Sequence, residues 1–148
     1  MRLLMLALFI CVATFSKAQT YKDYDSVLAK KLNANDMGMK RYIFVVLKTG
    51  PVVIEDKNKR DSLFAGHMKN IQSLASQNKL VLAGPFGKND KEFRGLFILN
   101  TDNKEEAEKM VNLDPAVQAK IFVAEYYPWF GTAALQETLN IHKRISKN

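Results

Sequence analysis

From Arg41 to Leu47 the chain reads Arg-Tyr-Ile-Phe-Val-Val-Leu, a run of β-branched and aromatic residues with no charge after Arg41. Such a run suits a strand covered on both faces, so the rest of the chain must supply cover for two sides of a sheet. Gly50-Pro51 ends the run. From Lys57 to Asn78 the apolar positions Leu63, Phe64, His67/Met68, Ile71, Leu74 and Ala75 recur at three and four, which predicts a long helix packed along one side. Leu80 to Ala83 predicts a second strand closed by Gly84-Pro85, and a polar stretch, Gly87 to Glu92, leads to a third strand at Gly95 to Leu99, giving a hairpin. Asp102 with Glu105 three residues on is a capping-box pattern and predicts a second helix through Ala107, Met110 and Val111. Asp114-Pro115 restarts a short helix, and Ile121 to Tyr126 predicts a fourth strand that Pro128-Trp129-Phe130-Gly131 leaves.

The order β-α-β-β-α-β is that of an α+β, ferredoxin-like domain, with two helices on one face of a four-stranded antiparallel sheet. The other face also carries bulky apolar residues, Ile43, Val45 and Phe97 or their strand neighbours, and no remaining helix is long enough to shield it. A homodimer packed sheet against sheet follows as an expectation. The domain is expected over 40–130. It is flanked by a helical extension at 19–39, with Tyr24, Val27, Leu28 and Leu32 at helical spacing, and by a C-terminal helical extension at 131–148 that uses Ala134, Leu135, Leu139 and Ile141.

Residues 1–18 have the pattern of a signal peptide: Arg2, an apolar stretch from Leu3 to Phe15, then Ser16-Lys17-Ala18, with small residues at −3 and −1 of a cut after Ala18. The stretch is shorter than the roughly 20 residues that span a bilayer, so export to the periplasm or medium is expected and a stable membrane anchor is not. Cys11, the single cysteine, lies inside this segment, which leaves the mature chain free of thiols. Without Arg2 and Lys17 the chain keeps 20 basic and 15 acidic residues, a net +5. The basic clusters, Lys57-Asn58-Lys59-Arg60 and His142-Lys143-Arg144, are short and lack interleaved aromatics, so no nucleic-acid partner is expected.

Chemistry narrows to a few side chains. With two histidines, His67 and His142, and no surviving cysteine, no metal site is expected. G-x-S-x-G, P-loop and G-x-G-x-x-G patterns are absent, so any catalysis is cofactor-free acid/base work. His67 lies on the apolar stripe of the long helix, where it serves either as a hydrogen-bonded core residue or as a general acid/base. Asp114, directly before Pro115, reads as an N-cap. One of its oxygens can cap while the other orients an imidazole, so both duties are open to it. Gly84-Pro85 is either an ordinary tight turn or a presenter of backbone amides to a ligand oxyanion. Arg94 is either a solvated edge residue or a partner for a substrate carboxylate.

The ordered segments Lys40 to Val45, Gly66-His67-Met68, Leu80 to Phe86, Arg94 to Phe97 and Asp114 to Val117 resemble the YCII-related (YciI-like) proteins. The resemblance spans about 40 to 130 and implies a dimeric α+β barrel similar to muconolactone isomerase. It also implies a His and Asp site, which falls on His67 and Asp114, and proton transfer on a small cyclic or enolic molecule, because a characterised relative is a dehydrochlorinase. Gly84, Pro85 and Arg94 would then position the ligand. The alternative is a non-catalytic ligand-binding or assembly module that keeps the fold. The export signal and added helices depart from the small cytosolic members. The signal itself is checked by intact mass: the exported product should begin at Gln19, and a product retaining Met1 to Ala18 would overturn the assignment.

Overall fold

The computed structural model describes residues 23–147; the signal segment, Cys11 and the start of the N-terminal extension lie outside them. Four strands, β1 (Met39–Thr49), β2 (Leu80–Pro85), β3 (Phe93–Leu99) and β4 (Phe122–Thr132), form one sheet in the order β2-β3-β1-β4 with every neighbour antiparallel. Helices α2 (Lys57–Ser76), α3 (Lys104–Val111) and the single turn α4 (Pro115–Gln118) complete the βαββαβ order of a ferredoxin-like α+β fold. A short α1 (Ser26–Lys31) precedes the domain, and a 3₁₀ turn (Ala133–Glu137) followed by α5 (Thr138–Ile145) ends it. Among the described residues no helix is long and apolar enough to cross a membrane.

Strand alternation divides β1 between two clusters. Ile43, Val45 and Leu47 pack with Phe97 and Leu99 of β3 beneath Leu74 of α2 and Ala107, Met110 and Val111 of α3. Their neighbours Tyr42 and Phe44 join Ile98, Leu96, Val81 and Leu82 on the far face. The uncovered set is therefore the strand neighbours, and Ile43, Val45 and Phe97 belong to the helix-covered core. The far face is also partly covered within the chain: Leu135 of the 3₁₀ turn packs on it, and Trp129 leans across it toward Tyr42 and Phe44, 5.9 and 6.5 Å between ring centres.

Several boundaries differ from the sequence-based expectations. Gly84-Pro85 does not turn; the two residues pair with Leu96 and Gly95, and the hairpin closes later, where Asn89 bonds the backbone of Gly87, Lys91 and Phe93. Pro128 does not end β4 but sits opposite Ile43. Both prolines lie on edge strands, where a missing N–H interrupts no ladder if it faces outward. The N-terminal helix is confined to Ser26–Lys31, capped by Asp25, with Tyr24 and Val27 exposed and Leu32 as its buried apolar contact.

The two extensions meet at one end of the sheet through Gln136. Its amide nitrogen donates to the Leu32 carbonyl at 2.6 Å, and its oxygen accepts from Lys40. Lys40 also donates to Asn100 at 2.7 Å, and burial pushes its ammonium pKa down.

Helix α3 is capped one residue later than its sequence suggests. Asn103, not Asp102, accepts from the Glu106 amide at 2.8 Å, while Thr101 accepts from the Asn103 amide and donates to the Glu106 carboxylate. This knot selects the register, because Asn and Asp cap about equally well. Asn103→Ala should therefore cost about 1 kcal/mol in urea unfolding and Asp102→Ala a few tenths at most; equal effects would contradict this cap.

Candidate functional site

Pro115 occupies the first position of α4, where no backbone N–H is required, and Asp114 is its N-cap. The Oδ1 atom of Asp114 accepts from the Ala116 amide at 2.9 Å. Its Oδ2 atom lies 2.5 Å from Nδ1 of His67, 47 positions away in sequence. The carboxylate side chain is 0 % exposed and the imidazole 13 %. Both acceptors of the acid are thus used, one to hold a helix and one to hold a ring.

A carboxylate can only accept, so His67 donates from Nδ1, and the neutral ring carries its lone pair on Nε2. The ring is gripped on its faces: Phe97 of β3 stacks against it at 6.2 Å between centres, and Phe122 of β4 stands edge-on at 5.4 Å. Phe64, one helical turn before His67, packs in turn on Phe122 at 5.7 Å. Among the described residues Nε2 has no hydrogen-bond partner, yet no buried side-chain nitrogen or oxygen is left unpaired. The ring's limited exposure therefore includes Nε2. One nitrogen is fixed from inside and the other meets solvent.

A cleft of about 550 Å³ opens beside this seam, between β4 and the α3–α4 segment. Phe122 lines it with Val117, Asn112, Lys120 and Tyr126, so the ring that stands edge-on to His67 also borders this cleft. Burial, and secondarily the Glu108 carboxylate, push the Tyr126 phenol up to about 12, which keeps it a protonated donor throughout the neutral range. Among the described residues no three His, Cys, Asp or Glu side chains converge as metal ligands.

The other sequence candidates lie apart from the pair. Gly84 is opposite Leu96, a residue of the far-face cluster, and Pro85 has no N–H to offer. Neither is a free turn amide. Arg94 donates from Nε to the Thr49 hydroxyl at 2.6 Å beside the irregularity between β1 and β3. Two aromatic residues outside the sequence-based site candidates, Phe97 and Phe122, form the walls of the imidazole slot. Their strand parity carried the signal, since Phe122 shares its face with Ala124 and Tyr126.

The profile of the YCII-related domain matches residues 41–129. Among curated proteins there is no match. Among solved structures the chain is similar to a 5-chloro-2-hydroxyhydroquinone dehydrochlorinase from Burkholderia phenoliruptrix AC1100 in complex with 2,5-dihydroxybenzoquinone. Identity is 21 %, the TM-score 0.41, and the alignment covers 59 % of this chain and 92 % of that one.

The shared carboxylate makes Asp114→Asn informative. The asparagine oxygen can keep the cap on Ala116, but the atom facing His67 becomes an N–H₂ donor, so Nδ1 must turn acceptor and the proton moves to Nε2. Long-range ¹H–¹⁵N correlations of the ring should show the two nitrogens exchanging roles, with the fold retained. An unchanged tautomer would show that Asp114 does not set it.

Proposed function

The chain belongs to the YCII-related family, and from that premise we propose that it is a cofactor-free acid/base protein acting on a small cyclic or enolic molecule. His67 takes a proton from an acidic C–H or O–H of the ligand at Nε2. The resulting imidazolium faces the Asp114 carboxylate through Nδ1–H, and its Nε2 proton, which exchanges with water, is delivered to a second atom of the ligand, which leaves an isomer and an unchanged protein. The observation that carries this reading is the asymmetry of the ring: Nδ1 is held by a fully buried acid while Nε2 is the polar atom left open. A purely structural core histidine would have both nitrogens satisfied.

A ligand approaching from the β4 side would use the cleft beside Phe122 and displace that ring to reach Nε2. Exclusion of water behind the ligand would strengthen the interaction between imidazolium and carboxylate. A second reading, a non-catalytic binding module, draws on one observation: Asp114 has no exposed surface and His67 little, so the pair does not form an open pocket wall. The two readings separate in D₂O. Incubation with a panel of small enolic and lactone acids should load deuterium at a ligand carbon, and His67→Ala should slow this exchange about 100-fold or more. Binding without exchange across the panel would leave the module reading standing.

The reading extends to assembly and location. The far face of the sheet presents Phe44, Leu82 and Leu96 half-buried, with Tyr127 and Trp129 48 % and 39 % exposed, and a second copy packed face to face would cover them. Light scattering should give the mass of two chains at micromolar concentration, and Trp129→Ala should shift it toward one. A single-chain mass for the parent would exclude the homodimer. The leader at 1–18 would deliver this dimer outside the cytoplasm.

A further inference from the structure

Gly66 stands one residue before His67 inside a twenty-residue helix. A glycine there is destabilising by about 0.5–1 kcal/mol relative to alanine, so its presence calls for a local cause. Conformation is not that cause, because its φ is not positive; Gly38 is the described glycine with that property. Space is. A Cβ at position 66 would lie 2.8 Å from Cγ of Pro115, 3.4 Å from its Cβ and 3.5 Å from its Cδ.

The nature of the obstacle matters. A flexible side chain would swing aside, but a pyrrolidine ring is bonded to its own backbone at both ends and fixes φ. Re-puckering shifts Cγ alone, while Cβ and Cδ at 3.4 and 3.5 Å stay tied to the backbone, so the remaining relief comes from moving α4 away from α2. Pro115 is the first residue of α4, and the residue bonded to it is Asp114. Any displacement of Pro115 therefore carries the carboxylate with it, away from a ring whose own position is set by α2, Phe97 and Phe122. The hydrogen bond at stake is short, 2.5 Å between Nδ1 and Oδ2, and a shift of several tenths of an ångström would stretch it out of its strong range.

We propose that Gly66 is a positioning residue of the His67–Asp114 pair: the missing side chain leaves room for the Pro115 ring, so that α4 can approach α2 closely enough for the acid to reach the imidazole. The inference rests on reading the pair as the working unit, but its readout is the hydrogen bond of the pair and stands whether or not a reaction is found. A packing glycine without this role would affect stability alone.

The test is ring NMR on three variants of the mature chain. In the parent and in Pro115→Ala, His67 should show a protonated Nδ1 with a downfield Nδ1–H signal slow to exchange with water. Gly66→Ala should lose that signal, although alanine is the better helix former. Gly66→Ala/Pro115→Ala, which removes Cγ and Cδ from the contact, should recover it. The proposal is overturned if Gly66→Ala folds and keeps the signal, or if the double variant fails to recover a signal that Pro115→Ala retains. Should Gly66→Ala not fold, the double variant carries the test: a folded protein with the signal supports the proposal. A double variant that is itself unfolded means that the clash is not with the Pro115 ring and overturns it.

Discussion

Everything at the candidate site hangs on one buried carboxylate with two duties. An ionised acid without surface exposure is costly unless each oxygen finds a donor. Asp114 meets that condition with a backbone amide on one side and an imidazole on the other. The cap fixes the acid to α4, and the imidazole fixes α4 to α2, so the same group that orients His67 also closes the seam between two helices on the sheet. A single-turn helix with four residues has little stability of its own, and here its first residue is locked by the acid before it and by the face of Gly66.

The sheet supplies the other half of the site. Because β3 and β4 flank β1 on opposite sides, Phe97 and Phe122 reach the helix-facing side from different strands and hold the imidazole between them. That arrangement depends on parity: a one-residue slip of β4 would turn Phe122 to the far face and leave the ring unsupported. Eleven paired positions between β1 and β4 guard against the slip, from Met39 opposite Thr132 to Thr49 opposite Phe122. The length of β4 beyond Pro128 is thus more than edge decoration. It pins the register in which Phe122 meets His67.

Much of this was legible in the sequence, and the failures have specific causes. Periodicity of three and four gave α2 to within two residues, and the segment order gave the sheet topology, because both are set by burial alone. The run Arg41 to Leu47 could not say which alternate residues face the helices, since both sets are apolar; Ile43 and Val45 went to the helix side for reasons that lie in the neighbouring strands. Proline was read as a strand stop at 85 and 128, yet both residues continue their strands because both strands are edges. The cap at Asn103 over Asp102 was decided by Thr101 and Glu106, whose bonds no local propensity ranks. His67 and Asp114 were visible as candidates and the resemblance paired them as one site, but periodicity alone does not supply their meeting. It depends on a helix-to-helix contact that the sequence announces only through a glycine in a costly place.

Access and orientation pull against each other in such a site. Full burial of Asp114 keeps water from its oxygens, which makes each of its bonds stronger than in solvent, but it also seals the inner side of the imidazole. The chemistry proposed at His67 would then use the outer nitrogen, because the tautomer that matches the acid leaves that nitrogen able to accept a proton. The two rings beside it differ in freedom: Phe97 is buried in the core, whereas Phe122 is only partly buried and borders a cleft. Of the two walls, then, the one on the edge strand is the one that can move without breaking the core. An edge-strand aromatic beside a rigid, buried acid gives a small site both a fixed proton geometry and a side that can open.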